Sequence, residues 1–195
     1  MQITPDDQKA ILALLESGVG ASTDKLAAIS RTKWTIKTTA LKAYATAEDF
    51  AELGQPSQYF FGAYCSAPGR VFLSYFTSRS SALMTQAFLA GSRRNLQATP
   101  QMQEVAVAEV SNIVINAIAA AMADRCSMAF ILSAPKSVRG ARADIITAAF
   151  GALQPVGKVF SATISLASQD IAADCILMMM LDDLIVNFIL NALDR

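Results

Sequence analysis

The sequence predicts an α+β fold in which two long helices cover a mainly antiparallel sheet shared by two pseudo-duplicated halves. Two observations predict it. Helix-start signals of the same kind, Thr4-Pro5 and Thr99-Pro100, lie almost a hundred residues apart. Strand-like segments then follow each long helix next to one another instead of alternating with helices, which favours an antiparallel sheet over a parallel one.

The first half opens on Thr4-Pro5-Asp6-Asp7, a Thr N-cap with Pro at the first helical position and acids facing the positive end of the helix dipole. A helix is expected to about Ala28. Thr35 to Tyr44 and Gln58 to Ser66 read as strands, Ala67-Pro68-Gly69 as a turn into a strand from Arg70 to Phe76, and Ser80 to Leu89 returns to helical spacing. In the second half, Val105, Val110, Ile113, Ala117 and Ala121 continue the Thr99-Pro100 start as a helix to about Asp124. Strands are expected over Met128 to Ser133, Lys158 to Ser168 and Asp170 to Leu181, with the run Met178 to Met180 in the strand core. The closing helix, Asp183 to Leu193, is apolar around much of its circumference and reads as buried core. These signals describe one integrated domain over residues 1–195, with pseudo-repeats at about 4–95 and 99–195. No Pro-, Gly- or Ser-rich linker separates them, and the polar stretch Gly91 to Gln103 joins them.

Composition removes several classes of function. A hydrophobic content of 53% supplies a large core and excludes a disordered regulator. Sixteen basic and sixteen acidic residues cancel, and the lone Arg93-Arg94 pair makes no basic stripe, so nucleic acid is not an expected partner. Asp124 and Arg125 interrupt the apolar stretch Ile113 to Leu132, and Asp182 and Asp183 interrupt the later one, which argues against membrane insertion. The opening residues show no basic segment followed by an apolar one, and a cytoplasmic location is expected. Cys65, Cys126 and Cys175 are odd in number, far apart and set in apolar surroundings, and read as reduced core thiols. Histidine is absent, so Ser/His/Asp and Cys/His catalysis and His-ligated zinc are excluded on this chain. No cofactor is expected on it either. Chemistry must use carboxylates, amides, hydroxyls or lysine.

Against that background one feature stands out. Glu109, Asn112 and Asn116 follow one another at spacings of three and four, on one side of an otherwise apolar helix. Asn competes for backbone hydrogen bonds and is a mediocre residue inside a helix, so two of them among Ile and Val suggest a task besides packing. A solvated helix face, or a polar contact satisfied between the two long helices, accounts for the same spacing.

The segment Val107-Ala-Glu109-Val-Ser-Asn112-Ile-Val, followed by a small-residue helix, a short apolar segment and Pro135, resembles the signature of the CheC, CheX and FliY chemotaxis phosphatases. In that family an ExxN pair precedes a proline by twenty-two intervening residues, the number found over positions 113 to 134. Chain length and the duplicated order of elements resemble CheC. Leu15-Glu16-Ser17-Gly18-Val19-Gly20-Ala21 is similar to the family's first signature, but Val19 stands at the Asn position and Lys42 at the proline position. Val105 also stands four residues before Glu109, and Leu12 four before Glu16, where Asp or Ser is usual.

The resemblance implies a phosphatase with one working site, in the second half. Its substrate would be the aspartyl phosphate of a CheY-like response regulator, which itself supplies Mg²⁺ and a lysine. Asn112 would orient the attacking water, and Glu109 would pair with the regulator's lysine. Glu16 and Asn116 are left as residues of a secondary or degenerate site. A CheD-like deamidase on the closing helix and a flagellar-switch protein are further implied partners. The alternative is a non-catalytic adaptor of the same fold that binds a phosphorylated regulator or a switch partner.

Overall fold

The computed structural model describes residues 3–44, 58–90, 98–127 and 129–193. Arg93, Arg94 and Met128 therefore lie outside the described residues, as does much of the expected joining stretch from Gly91. Both helix-start signals act as predicted. Thr4 accepts a hydrogen bond from the Asp7 amide at 3.2 Å while the Asp7 carboxylate accepts from the Thr4 amide at 2.8 Å, closing a capping box on α1, Pro5–Ser30. The Thr4 hydroxyl also donates to the Asp7 carboxylate at 2.7 Å, and this bond, followed by the one from the Thr4 amide, lowers the pKa of Asp7 below the usual carboxylate value. Thr99 caps the second long helix through the Met102 amide at 3.3 Å. Both long helices also stop alike, on a non-glycine residue in left-handed geometry, Arg31 and Ser127.

Among the described residues six antiparallel strands form one sheet: β1 (Thr35–Tyr44), β2 (Tyr59–Ala67), β3 (Arg70–Thr77), β4 (Lys136–Ala141), β5 (Val159–Ser168) and β6 (Ala173–Asp182). Their spatial order is β1-β5-β6-β3-β2-β4. Each half thus builds a hairpin, β2-β3 or β5-β6, and sends its remaining strand across to the edge of the other half's hairpin. The β2-β3 turn needs Gly69, whose φ is 72° and whose added Cβ would fall 2.7 Å from the carboxylate of Asp182. That buried carboxylate accepts the backbone amides of Val156 and Ile185 and so holds the start of the last helix, α5 (Asp183–Leu193).

Alternation along the strands divides the apolar side chains between two faces. On one face Phe61, Phe72, Phe160, Leu177 and Met179 meet Leu15 and Val19 of α1 and Val107, Val114 and Ile118 of the second long helix, α3 (Pro100–Cys126). The short helix α2 (Ser78–Leu89) adds Met84 to this core, and α5 adds Val186 and Ile189. On the other face Val71, Leu73, Tyr75, Met178 and Met180 are covered by α4 (Arg142–Gly151) through Ile145, Ile146 and Ala149. Met178 to Met180 are buried, as expected. The helix α3 is long and apolar enough to cross a membrane by composition, but more than half of its most apolar window is buried in protein, as a core helix requires.

Three expectations need correction. The apolar run at 129–133 is no strand. Ile131 is 83% exposed there, and the segment touches the sheet through Ser133, whose amide donates to Ser66 O and whose hydroxyl accepts from the Ser66 amide. Pro135 has no N–H for the ladder, so regular pairing begins only at Lys136. The strand expected from Asp170 starts later, at Ala173, because Ala172 takes left-handed geometry in the β5-β6 turn. The closing helix is only half buried: Leu184 and Phe188 are 60% and 42% exposed.

Candidate functional site

The inner side of α3 is fastened to its neighbours at several points. Gln103 accepts a hydrogen bond from Ser81 of α2 at 2.7 Å. Glu104 pairs with Arg139 of β4 at 2.6 Å. Ser111 lies 2.5 Å from Ser74 of β3, hydroxyl to hydroxyl, at the centre of the sheet. Further along, Gly18 of α1 approaches so closely that an added Cβ would stand 3.0 Å from the Ile118 Cα. Fixing residues 103, 104, 111 and 118 in this way sets the rotation of the helix about its axis, and Val105, Glu109, Asn112 and Asn116 then form an outward stripe at i, i+4, i+7 and i+11.

Along that stripe Glu109 and Asn116 are exposed and Asn112 half-buried. The Asn116 amide donates to Asn112 Oδ1 at 2.8 Å. Glu109 has neither a hydrogen bond nor an ion pair among the described residues. The three polar side chains thus form a solvated face and do not satisfy contacts between the long helices. One turn before Glu109, Val105 is 64% exposed and borders an apolar groove against α2.

The corresponding part of the first half differs. Glu16 is exposed on α1, but its carboxylate accepts a hydrogen bond from Thr39 of β1 at 2.7 Å. Val19, at the expected amide position, is fully buried in the main core. The structure therefore brings Glu109, Asn112 and Asn116 together and leaves Glu16 on another helix without an amide beside it.

The cysteines stand apart from this face. All three are free and buried, as expected. Burial pushes the Cys65 thiol up to about 11 and the Cys175 thiol up to about 12, and raises Cys126 as well. None is a thiolate nucleophile at neutral pH.

No family model matches the chain, and no curated protein does. Solved structures do. FliY of Thermotoga maritima superposes with a TM-score of 0.72 over 100% of this chain and 98% of its own, at 14% identity. The chain has the CheC/CheX/FliY-type fold. CheX of Desulfovibrio desulfuricans matches with a TM-score of 0.55 over 87% of this chain and 99% of its own, at 13% identity. FliM from the H. pylori FliG–FliM complex matches with a TM-score of 0.62 over 97% and 100%, at 9% identity. The fold thus houses both a chemotaxis protein and FliM.

Sequence reasoning located the stripe but missed what holds and borders it. Helical spacing places 105, 109, 112 and 116 together, whereas the anchors Ser81, Ser74 and Arg139 come from distant segments. Only Gln103 and Ser111, polar residues on the buried side of an apolar helix, carried a local hint that a partner was required.

Proposed function

We propose that the protein dephosphorylates the aspartyl phosphate of a CheY-like response regulator in chemotaxis signalling, using the Glu109–Asn112 face of α3. The observation that carries this reading is an exposed carboxylate with no partner among the described residues, one turn from an amide, on a helix whose rotation is fixed from behind. Such a face is rigid and free to enter a partner's site.

In the reaction, water attacks phosphorus, the bond from phosphorus to the aspartyl oxygen breaks, and phosphate leaves with a free carboxylate remaining on the regulator. The regulator's own Mg²⁺ supplies charge stabilisation. Asn112 Oδ1 already accepts from Asn116 and has a second lone pair for a water O–H, which turns the water's own lone pair toward phosphorus. Glu109 pairs with the regulator's lysine and sets the register. The contribution is positioning, which suits a phosphoryl transfer with little covalent work for the protein. An amide does this without titrating near neutral pH. With Val19 buried and Glu16 held by Thr39, the first half contributes no second site.

Asn112→Ala is expected to lose the acceleration of phosphate loss while keeping the wild-type circular dichroism spectrum and thermal midpoint. Wild-type turnover by this variant would sink the assignment. Glu109→Ala is expected to weaken docking, and an unchanged affinity for the regulator would remove its role.

The likeness to FliM supports a second reading, a non-catalytic adaptor that binds a phosphorylated regulator or a flagellar-switch protein; the H. pylori neighbour is held in complex with FliG. The exposed Leu184 and Phe188 on α5 are where a CheD-like partner would sit. A cytoplasmic location goes with either reading.

A further inference from the structure

We propose that the groove between α2 and α3 is an anchor pocket for an apolar side chain of the phosphorylated regulator, carried beside the cation that pairs with Glu109. This inference rests on the reading of Glu109 and Asn112 as the docking face. The groove encloses about 390 Å³ and is bounded by Phe88 and Leu89 from α2 and by Met102, Val105 and Ala106 from α3, with Glu109 at its rim.

Three observations select this occupant. Val105 and Glu109 are four residues apart, hence neighbours on one helix face, so a partner that covers the carboxylate also covers the groove mouth. The walls are almost wholly apolar while, among the described residues, the one charged side chain lining the groove is the Glu109 carboxylate, so the complementary ligand is an apolar group next to a cation. Val105 is 64% exposed although α3 is otherwise apolar on its buried side, and covering it recovers apolar area that now faces water. The groove is also firm. Ser81–Gln103 ties its two helices together beneath it, so little ordering is required on binding.

The partner is thereby selected by two adjacent features, a cation and an apolar side chain. The groove acts on affinity and partner choice, while the amide of Asn112 acts on the reaction.

The test measures binding of the full chain to a CheY-type receiver domain loaded with beryllofluoride, a stable stand-in for the acyl phosphate. Wild type, Val105→Gln, Val105→Leu and Glu109→Ala are compared. Burial of one aliphatic side chain corresponds to roughly a tenfold change in Kd, so Val105→Gln is expected to bind about tenfold more weakly. Val105→Leu, which keeps the apolar contact, is expected to stay within about threefold of wild type by the same argument. Equal affinities for Val105→Gln and wild type, with Glu109→Ala weakened, would overturn the pocket and leave the docking face standing. Equal weakening by the Gln and Leu variants would also overturn it, since burial would then not be the cause. So would a concentration-dependent dimer that Val105→Gln dissolves without altering receiver affinity, because a second copy would be the occupant. Failure of the wild type to bind any receiver would remove the docking-face reading and this inference together.

Discussion

Asn112 and Asn116 are chemically identical but differently placed: one is half-buried and accepts, the other is exposed and donates. In the proposed reaction Asn116 is a positioning residue that holds the Asn112 amide in one orientation. Removing a single hydrogen bond of this kind corresponds to a rate change of roughly fivefold. Asn116→Ala should therefore lower kcat by about that factor with KM little changed, and a purely structural role would move the thermal midpoint and leave kcat alone. At this scale the sequence was informative, because i, i+3 and i+4 spacing is a local property of a helix. The spacing set Glu109, Asn112 and Asn116 on one side without any knowledge of the fold. It could not reveal that Phe88 and Leu89 come to lie beside Val105, since nothing local connects α2 to α3.

At the scale of elements, the long helices were legible because each begins with Thr-Pro, and the β2-β3 hairpin because β-branched and aromatic runs flank the turn Ala67-Pro68-Gly69, whereas the β5-β6 turn was hidden in what read as the start of a strand at Asp170. The strand β4 and helix α4 were not. Lys136–Ala141 is a polar edge strand without apolar alternation, and the N-cap residue of α4 is Ala141, whose methyl group cannot accept a hydrogen bond; Asp144 accepts the Ala141 amide instead. The crossing of α1 over α3 depends on a residue that the sequence shows only as an unfavourable helix former. A Cβ added at Gly18 would stand 3.0 Å from the Ile118 Cα and 3.1 Å from the Ala121 Cβ, whereas one added at Gly20 would meet open space. Gly18→Ala should destabilise the fold by about 1 kcal/mol, the overpacking cost exceeding the gain in helix propensity. Gly20→Ala should stabilise it by about 1 kcal/mol. Urea unfolding of the two variants checks both signs, and equal shifts would contradict the crossing described.

For the whole molecule, strand exchange between the halves explains why the fold could be anticipated in class but not in strand order. Periodicity identifies strands; it says nothing about which partner's edge they join. The shared core also makes stability sensitive to alkali. Cys65 and Cys175 ionise at about 11 and about 12 in the fold, against 9.0 for an ordinary thiol, so the unfolded chain loses these protons first. Their contribution is complete below pH 9 and is lost progressively as pH rises toward the folded values. The thermal midpoint should fall over that window, and Cys175→Ala should flatten part of the fall.

In the proposed function the outward face of α3 does chemistry on a partner. Phosphate loss from a CheY-like regulator, followed with the full chain present at a small fraction of the regulator's concentration, decides whether it does. Many turnovers per molecule are expected with wild type and the regulator's spontaneous rate with Asn112→Ala. Tight binding with the spontaneous rate unchanged for wild type would contradict the proposed function and leave a flagellar-switch or signalling adaptor.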